Sequence, residues 1–161
     1  MPHFTLPLES LATPAVNGTF GALIGMEFAD TLGHEGKLTS LHIGCGVQQT
    51  PADVQISVRG AIYDNTTDGT STDAIASICK VDAGSVASVL AAVGKQYTVL
   101  PTAANRIFLS DAFNQRGGFH REWHEERKLP KWGQNETLVI LAAIGSGAAL
   151  ALVNVTVGWK E

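Results

Sequence analysis

Residues 53–64, DVQISVRGAIYD, alternate cleanly: Val54, Ile56 and Val58 fall on one side, Gln55, Ser57 and Arg59 on the other. Period two marks a strand with one buried face. The same period closes the chain, where Val153, Val155, Val157 and Trp159 alternate with Asn154, Thr156 and Gly158. Upstream, Thr137–Ile144 is apolar at both parities, Leu138 and Ile140 as well as Val139 and Leu141. A strand of that kind carries a packed layer on each side. One layer is the core; the other is a neighbouring subunit or loops of the same chain. The glycine-rich turn Gly145-Ser146-Gly147 between 137–144 and 149–159 predicts a hairpin.

Strands are also predicted over 19–32, where two internal glycines disfavour helix, and over 37–46, 96–100 and 105–110. Asp82 as N-cap and Gly94 as stop favour one short helix over Ala83–Val93, with two short strands around Gly84 as the alternative. Residues 1–18 carry Pro2, Pro7 and Pro14, which suit neither helix nor an inner ladder, so an extended arm is expected there, free or laid on a neighbour. The fold class is all-β: an antiparallel, jelly-roll-like β-sandwich over 19–161, with an extended N-terminal arm over 1–18 and at most one or two short helices.

Composition adds a surface argument. Charged residues are 16% of the 161, against about 25% in an ordinary soluble chain. Little charge is available to cover a monomer: either a compact β domain carries Ser, Thr, Asn and Gly outside, or, the favoured reading, a face is buried against copies or a partner. The net charge of −4 argues against nucleic acid, since neutralising phosphates needs clustered Lys and Arg. The start MPHFTLPL lacks the basic and apolar regions of a secretion signal. The 16 uncharged residues Leu138–Val153 fall short of the roughly 20 that span a bilayer, so no membrane association is expected. Cys45 and Cys79 lie among small apolar neighbours and read as buried reduced thiols.

Charge is unevenly placed. Residues 116–132 hold 5 Lys/Arg against 3 Asp/Glu, while 1–115 hold 5 against 10. Within this basic island lies FHREWHEERKLPKW, residues 119–132, with His120 and His124 four apart. The spacing fits neither H-E-x-x-H nor H-x-x-E-H, and Gly117-Gly118 and Pro130 bracket it against helix. No metal or cofactor is expected. Arg116, Arg121, Trp123, Arg127 and Trp132 are instead the residue types that concentrate at interface hot spots. The alternative is a solvated charged loop with one tryptophan in the core. Asp64–Asp73 lacks the final bidentate ligand of a calcium loop, and no nucleophile elbow, P-loop or dinucleotide fingerprint occurs. The chain is therefore not expected to be an enzyme.

The closing stretch WGQNETLVILAAIGSGAALALVNVTVGWKE resembles the end of small virion proteins of tailed bacteriophages. The proline-bearing start, low charge and Ala/Gly/Thr-rich strands are similar to capsid decoration (cement) proteins. The resemblance implies a structural subunit on the capsid exterior of the virion, a homotrimer that clamps the major capsid protein. On that reading the arm with Pro7 lies along a strand edge, the outer face of Leu138–Ile144 with Leu138 and Ile140 packs at a threefold axis, and loop 116–132 grips a partner. The alternatives are a carbohydrate- or receptor-binding fibre head, with Trp123 and Trp132 stacking on sugars, and an unrecognised enzyme.

Overall fold

Twelve strands run through the residues that the computed structural model describes, which are 1–14, 18–28, 33–45, 53–64, 70–82, 84, 86–99, 104–145 and 152–161. They are β1 (His3–Ala12), β2 (Gly21–Phe28), β3 (Glu35–Cys45), β4 (Gln55–Asp64), β5 (Thr70–Asp73), β6 (Cys79–Lys80), β7 (Leu90–Val99), β8 (Ala104–Asn114), β9 (Phe119–Glu122), β10 (Lys131–Gly133), β11 (Glu136–Ile144) and β12 (Leu152–Lys160). Two single 3-10 turns, Ile75–Ser77 and Glu126–Lys128, are the only helical pieces among the described residues.

The strands form two antiparallel sheets. The first has the order β10-β3-β12-β1-β6, with β9 also pairing β3; the second has the order β5-β7-β2-β11-β4-β8. Taking β9 and β10 as one interrupted strand, β1-β12-β3-β9/β10 faces β2-β11-β4-β8. The chain changes sheet at nearly every connection, which is the eight-stranded jelly-roll winding. Strands β5 to β7 are an insertion between β4 and its neighbour β8. It lengthens the second sheet beyond β2 and the first beyond β1.

The core lies between the sheets. Phe4, Leu6 and Leu8 of β1, Val153, Val155, Val157 and Trp159 of β12, and Leu138, Ile140, Ala142 and Ile144 of β11 all point into it. Phe4 stacks on Trp159 with ring centroids 5.5 Å apart.

The start of the chain differs from the expected arm. It is extended, but as a strand within the first sheet, paired with β12 from His3↔Lys160 to Ala12↔Leu152. Burying Phe4, Leu6, Leu8 and Leu11 outweighs the proline, because Pro7 needs no partner where it sits. The Val81 N–H donates to the His3 carbonyl at 3.0 Å. By alternation, Thr5 and Pro7 also turn their backbone groups toward β6. That strand pairs only Phe4 and Thr5, so Pro7 meets no ladder and its missing N–H costs nothing. At Ser10, φ is 55° and its N–H donates to Asn154 Oδ1 at 2.9 Å. This bulge shifts the register between Leu8 and Leu11, so that both are buried.

Among the described residues of 83–93 the expected helix is not formed. Residues Leu90–Val99 are β7, paired with the edge of β2 from Phe28↔Leu90 to Ile24↔Lys95. The alanines that favour helix in isolation yield to a ladder offered by tertiary neighbours. Gly94, read as a helix stop, is instead a place where side chains cross the strand: a Cβ there would stand 2.7 Å from the Tyr97 hydroxyl.

The hairpin is also overturned. β11 lies in the second sheet and β12 in the first, so their connection crosses the sandwich; its residues 146–151 fall outside the described ones. β11 sits between β2 and β4. Its second apolar face, Val139 and Leu141, is covered by the same chain through Ala22, Ala61, Tyr63, Phe20 and Tyr97. Burial raises the Tyr63 pKa above the usual phenol value. Arg59 lies over the Phe20 ring at 4.2 Å and completes the cover. Cys45 is half-buried and Cys79 exposed, and neither forms a disulfide; the expected burial of Cys79 fails because β6 is a two-residue edge strand. Half of the calcium-like stretch Asp64–Asp73, residues 65–69, lies outside the described residues.

Candidate functional site

The stretch FHREWHEERKLPKW is the edge of the first sheet. β9 pairs with Ser40–Ile43 of β3, and β10 pairs with Glu35–Lys37 further along the same strand. Between them the chain steps away from the sheet and is pinned at both ends. Trp123 N–H donates to Thr39 O, and Leu38 N–H donates to Pro130 O, each at 2.9 Å. A long strand edge is thus covered by two short strands and a protruding turn, an arrangement that discourages edge-to-edge pairing.

Its aromatic residues face inward. Phe119 packs on Phe113 of β8 with centroids 5.7 Å apart, Trp123 meets Phe108 of β8 at 6.3 Å, and Trp132 meets Phe28 of β2 at 5.5 Å. Each contact joins the first sheet to the second. Trp132 is 1% exposed, and Leu138 and Ile140 are fully buried. These three expected interface residues are core residues and present nothing to a partner. Trp123 is half-buried, while Arg116, Arg121 and Arg127 are exposed. Pro7 is exposed too, but three strands from β9 across the first sheet. The expected residues therefore do not form one patch.

The charges of the stretch are tied to the sheet. Glu126 accepts hydrogen bonds from Lys160 and, at 2.8 Å, from Lys37. These hold its carboxyl at about 2, well below the usual range, the Lys160 bond contributing most. The bond from Lys37 to Glu126 in turn raises the Lys37 pKa. Glu35 lies 3.6 Å from both Lys37 and Lys131, and Lys128 pairs with Glu125 at 2.9 Å. On the outer face, His42 of β3 stands opposite His120 of β9, and Glu122 lies 3.2 Å from both His120 and His124. Among the described residues no group of three or more His, Cys, Asp or Glu is placed, as the side chains stand, to hold a metal ion.

Among the described residues, a surface unlike an ordinary soluble one lies on the insertion. From Ile75 to Ala92 the only charged residues are Lys80 and Asp82. Val86 is 69% exposed, Val81 56%, and Ile75, Ala76, Ala87, Val89, Ala91 and Ala92 are exposed as well. Met1 lies beside them at 67%, because Val81 bonds to His3 and Pro2 O accepts from Glu161 N–H. A groove of about 190 Å³ opens here, lined by the apolar Phe4, Ile75, Ile78, Ala87 and Leu90 and the polar Lys80 and Ser88. The Glu161 carboxylate fixes the segment. It accepts from Ser88 Oγ at 2.5 Å, from Val89 N–H at 2.9 Å and from the buried Trp159 Nε1–H at 2.9 Å.

The sequence contained the signal for this surface: eighteen residues with two charges in a chain short of charge throughout. It was hidden because the same apolar residues fit a helix packed on the core. Comparison with known proteins brings no relative to bear, since no family model, no curated protein and no solved structure matches this chain.

Proposed function

We propose that this chain is an assembly subunit that acts by surface contact, and that its role is a capsid decoration (cement) protein, self-associating and holding the major capsid protein shell. The observation that carries the reading is the apolar insertion surface around Val81, Val86 and Val89, adjoining an open groove at the end of the sandwich. Contiguous exposed apolar surface of this kind marks a contact with another macromolecule. The low overall charge and the jelly-roll winding agree with such a role.

A fibre head that stacks sugars on tryptophan has less support, since Trp132 and Trp159 are buried and Trp123 leans on Phe108. The test is light scattering of the purified chain at micromolar concentration beside the double variant Val81→Asp, Val86→Asp, followed by co-sedimentation with shells of the major capsid protein. The parent is expected to be a trimer that sediments with shells, and the variant to lose both properties. A stable parent monomer that ignores the shells would sink the reading.

A further inference from the structure

We propose that His42, His120 and Glu122 bind a divalent transition-metal ion of the zinc class on the outer face of the first sheet. The inference is independent of the assembly role. His120 and Glu122 are two apart on β9, so both project from one face of the strand. His42 is directly opposite His120 on β3, with ring centroids 5.8 Å apart at 89°. Two imidazoles and a carboxylate thus project together from neighbouring strands, a donor set that suits zinc and the other late divalent ions.

The backbone brings the two histidines close. Trp123 N–H bonds to Thr39 O, so Thr39↔Trp123 is a hydrogen-bonded pair. Counting along the register, Leu41↔Arg121 is the next such pair, and His42↔His120 and Ser40↔Glu122 are the non-bonded pairs between. Non-bonded pairs bring their side chains closest, with Cα atoms about 4.5 Å apart.

The donor spacing also fits. Two ligands held at about 2.0–2.1 Å by a tetrahedral zinc stand about 3.3 Å from each other. His120 Nε2 and Glu122 Oε1 are 3.2 Å apart. His124 Nε2 lies 3.2 Å from the other carboxylate oxygen and orients it. What separates the present arrangement from a closed site is the His42 ring, which stands edge-on to His120. His42 is exposed, and turning it toward the Glu122 oxygen disturbs no core contact. The failed four-residue spacing of His120 and His124 is beside the point, because the chelating pair spans two strands.

The experiment is calorimetric titration of the full chain with zinc chloride at neutral pH, with thermal unfolding followed in parallel. The chain is expected to take up one zinc and to unfold at higher temperature as zinc rises. His42→Ala and His120→Ala should each weaken uptake at least about tenfold, since even loss of a supporting residue costs that much at metal sites. His3→Ala, an exposed histidine on β1, should bind as the parent does. All three side chains are exposed, and far-UV circular dichroism checks that each variant folds. Absence of saturable uptake, or uptake that survives both the His42 and His120 changes, overturns the proposal. Loss on His124→Ala with retention in His42→Ala does so as well.

Discussion

Trp123 stands edge-on to Phe108, ring centroids 6.3 Å apart at 68°, and so joins the interrupted edge of the first sheet to the outer strand of the second. The contact closes one flank of the sandwich. Removing it with Trp123→Ala is expected to cost about 1–3 kcal/mol, below the loss for a fully buried tryptophan because the residue already meets water in part. Trp123→Phe should recover most of it. Urea denaturation of the three proteins measures this, and an unchanged midpoint in the alanine variant would show that the ring carries no load.

Glu126 gives the protruding turn a pH dependence. Its carboxyl sits at about 2 in the folded chain against an ordinary 4.5. A depressed carboxyl stabilises the fold fully above its unfolded value and loses that contribution as pH falls from about 4.5 toward about 2. Glu126→Gln has nothing to lose over that window. The gap between parent and variant in urea midpoint is therefore expected at neutral pH, to narrow through the acid range, and to shrink with added salt because the group is exposed. A gap that is constant with pH would mean that the two lysine bonds do not act on stability.

Glu161 serves three donors, among them the buried indole N–H of Trp159. Glu161→Ala leaves that donor without its partner, and such orphaning costs about 1–3 kcal/mol. Segment 86–90 should become open to proteases in the same variant, since Ser88 and Val89 lose their anchor. Limited proteolysis with mass spectrometry reads this directly, and protection equal to the parent's would refute the anchor.

Gly25 tests the cover over the second apolar face. A Cβ added there would collide with the Tyr97 hydroxyl, so Gly25→Ala must displace the ring that shields Val139 and Leu141. A loss of about 1–3 kcal/mol is expected. Combined with Tyr97→Ala, the two changes should cost less than the sum of the single losses, since the collision is already gone. Strict additivity in that cycle would place the cost elsewhere.

Strands were readable wherever a single face is buried: the alternation of 53–64 and 153–159 appears as β4 and β12. Legibility failed where two influences compete. At β1, the alternation Phe4, Leu6, Leu8 was present, but Pro7 argued louder until its carbonyl side proved to face an unpaired edge. At β7, alanine propensity and capping residues favoured a helix that the open side of β2 converts to a strand. The hairpin failed because period two says that a strand exists, and nothing about the sheet it joins. In FHREWHEERKLPKW the residue types were visible but not their directions. Trp132 turns inward and Arg121 stays in water, although both pair with buried positions of β3, Gly36 and Leu41, so the register alone does not separate them.

The pairing of β1 with β12 also bears on how fast the fold can form. β1 has β12 along its length and the short β6 at two positions, so its ladder waits for residues at the far end of the chain. Phe4 meets Trp159 only when that loop closes. Topologies ruled by such distant contacts fold in about milliseconds to seconds rather than microseconds. Until closure the apolar face of β1 stands open, and Pro7 then acts as a gatekeeper, denying a stray strand one of its hydrogen bonds while the chain waits.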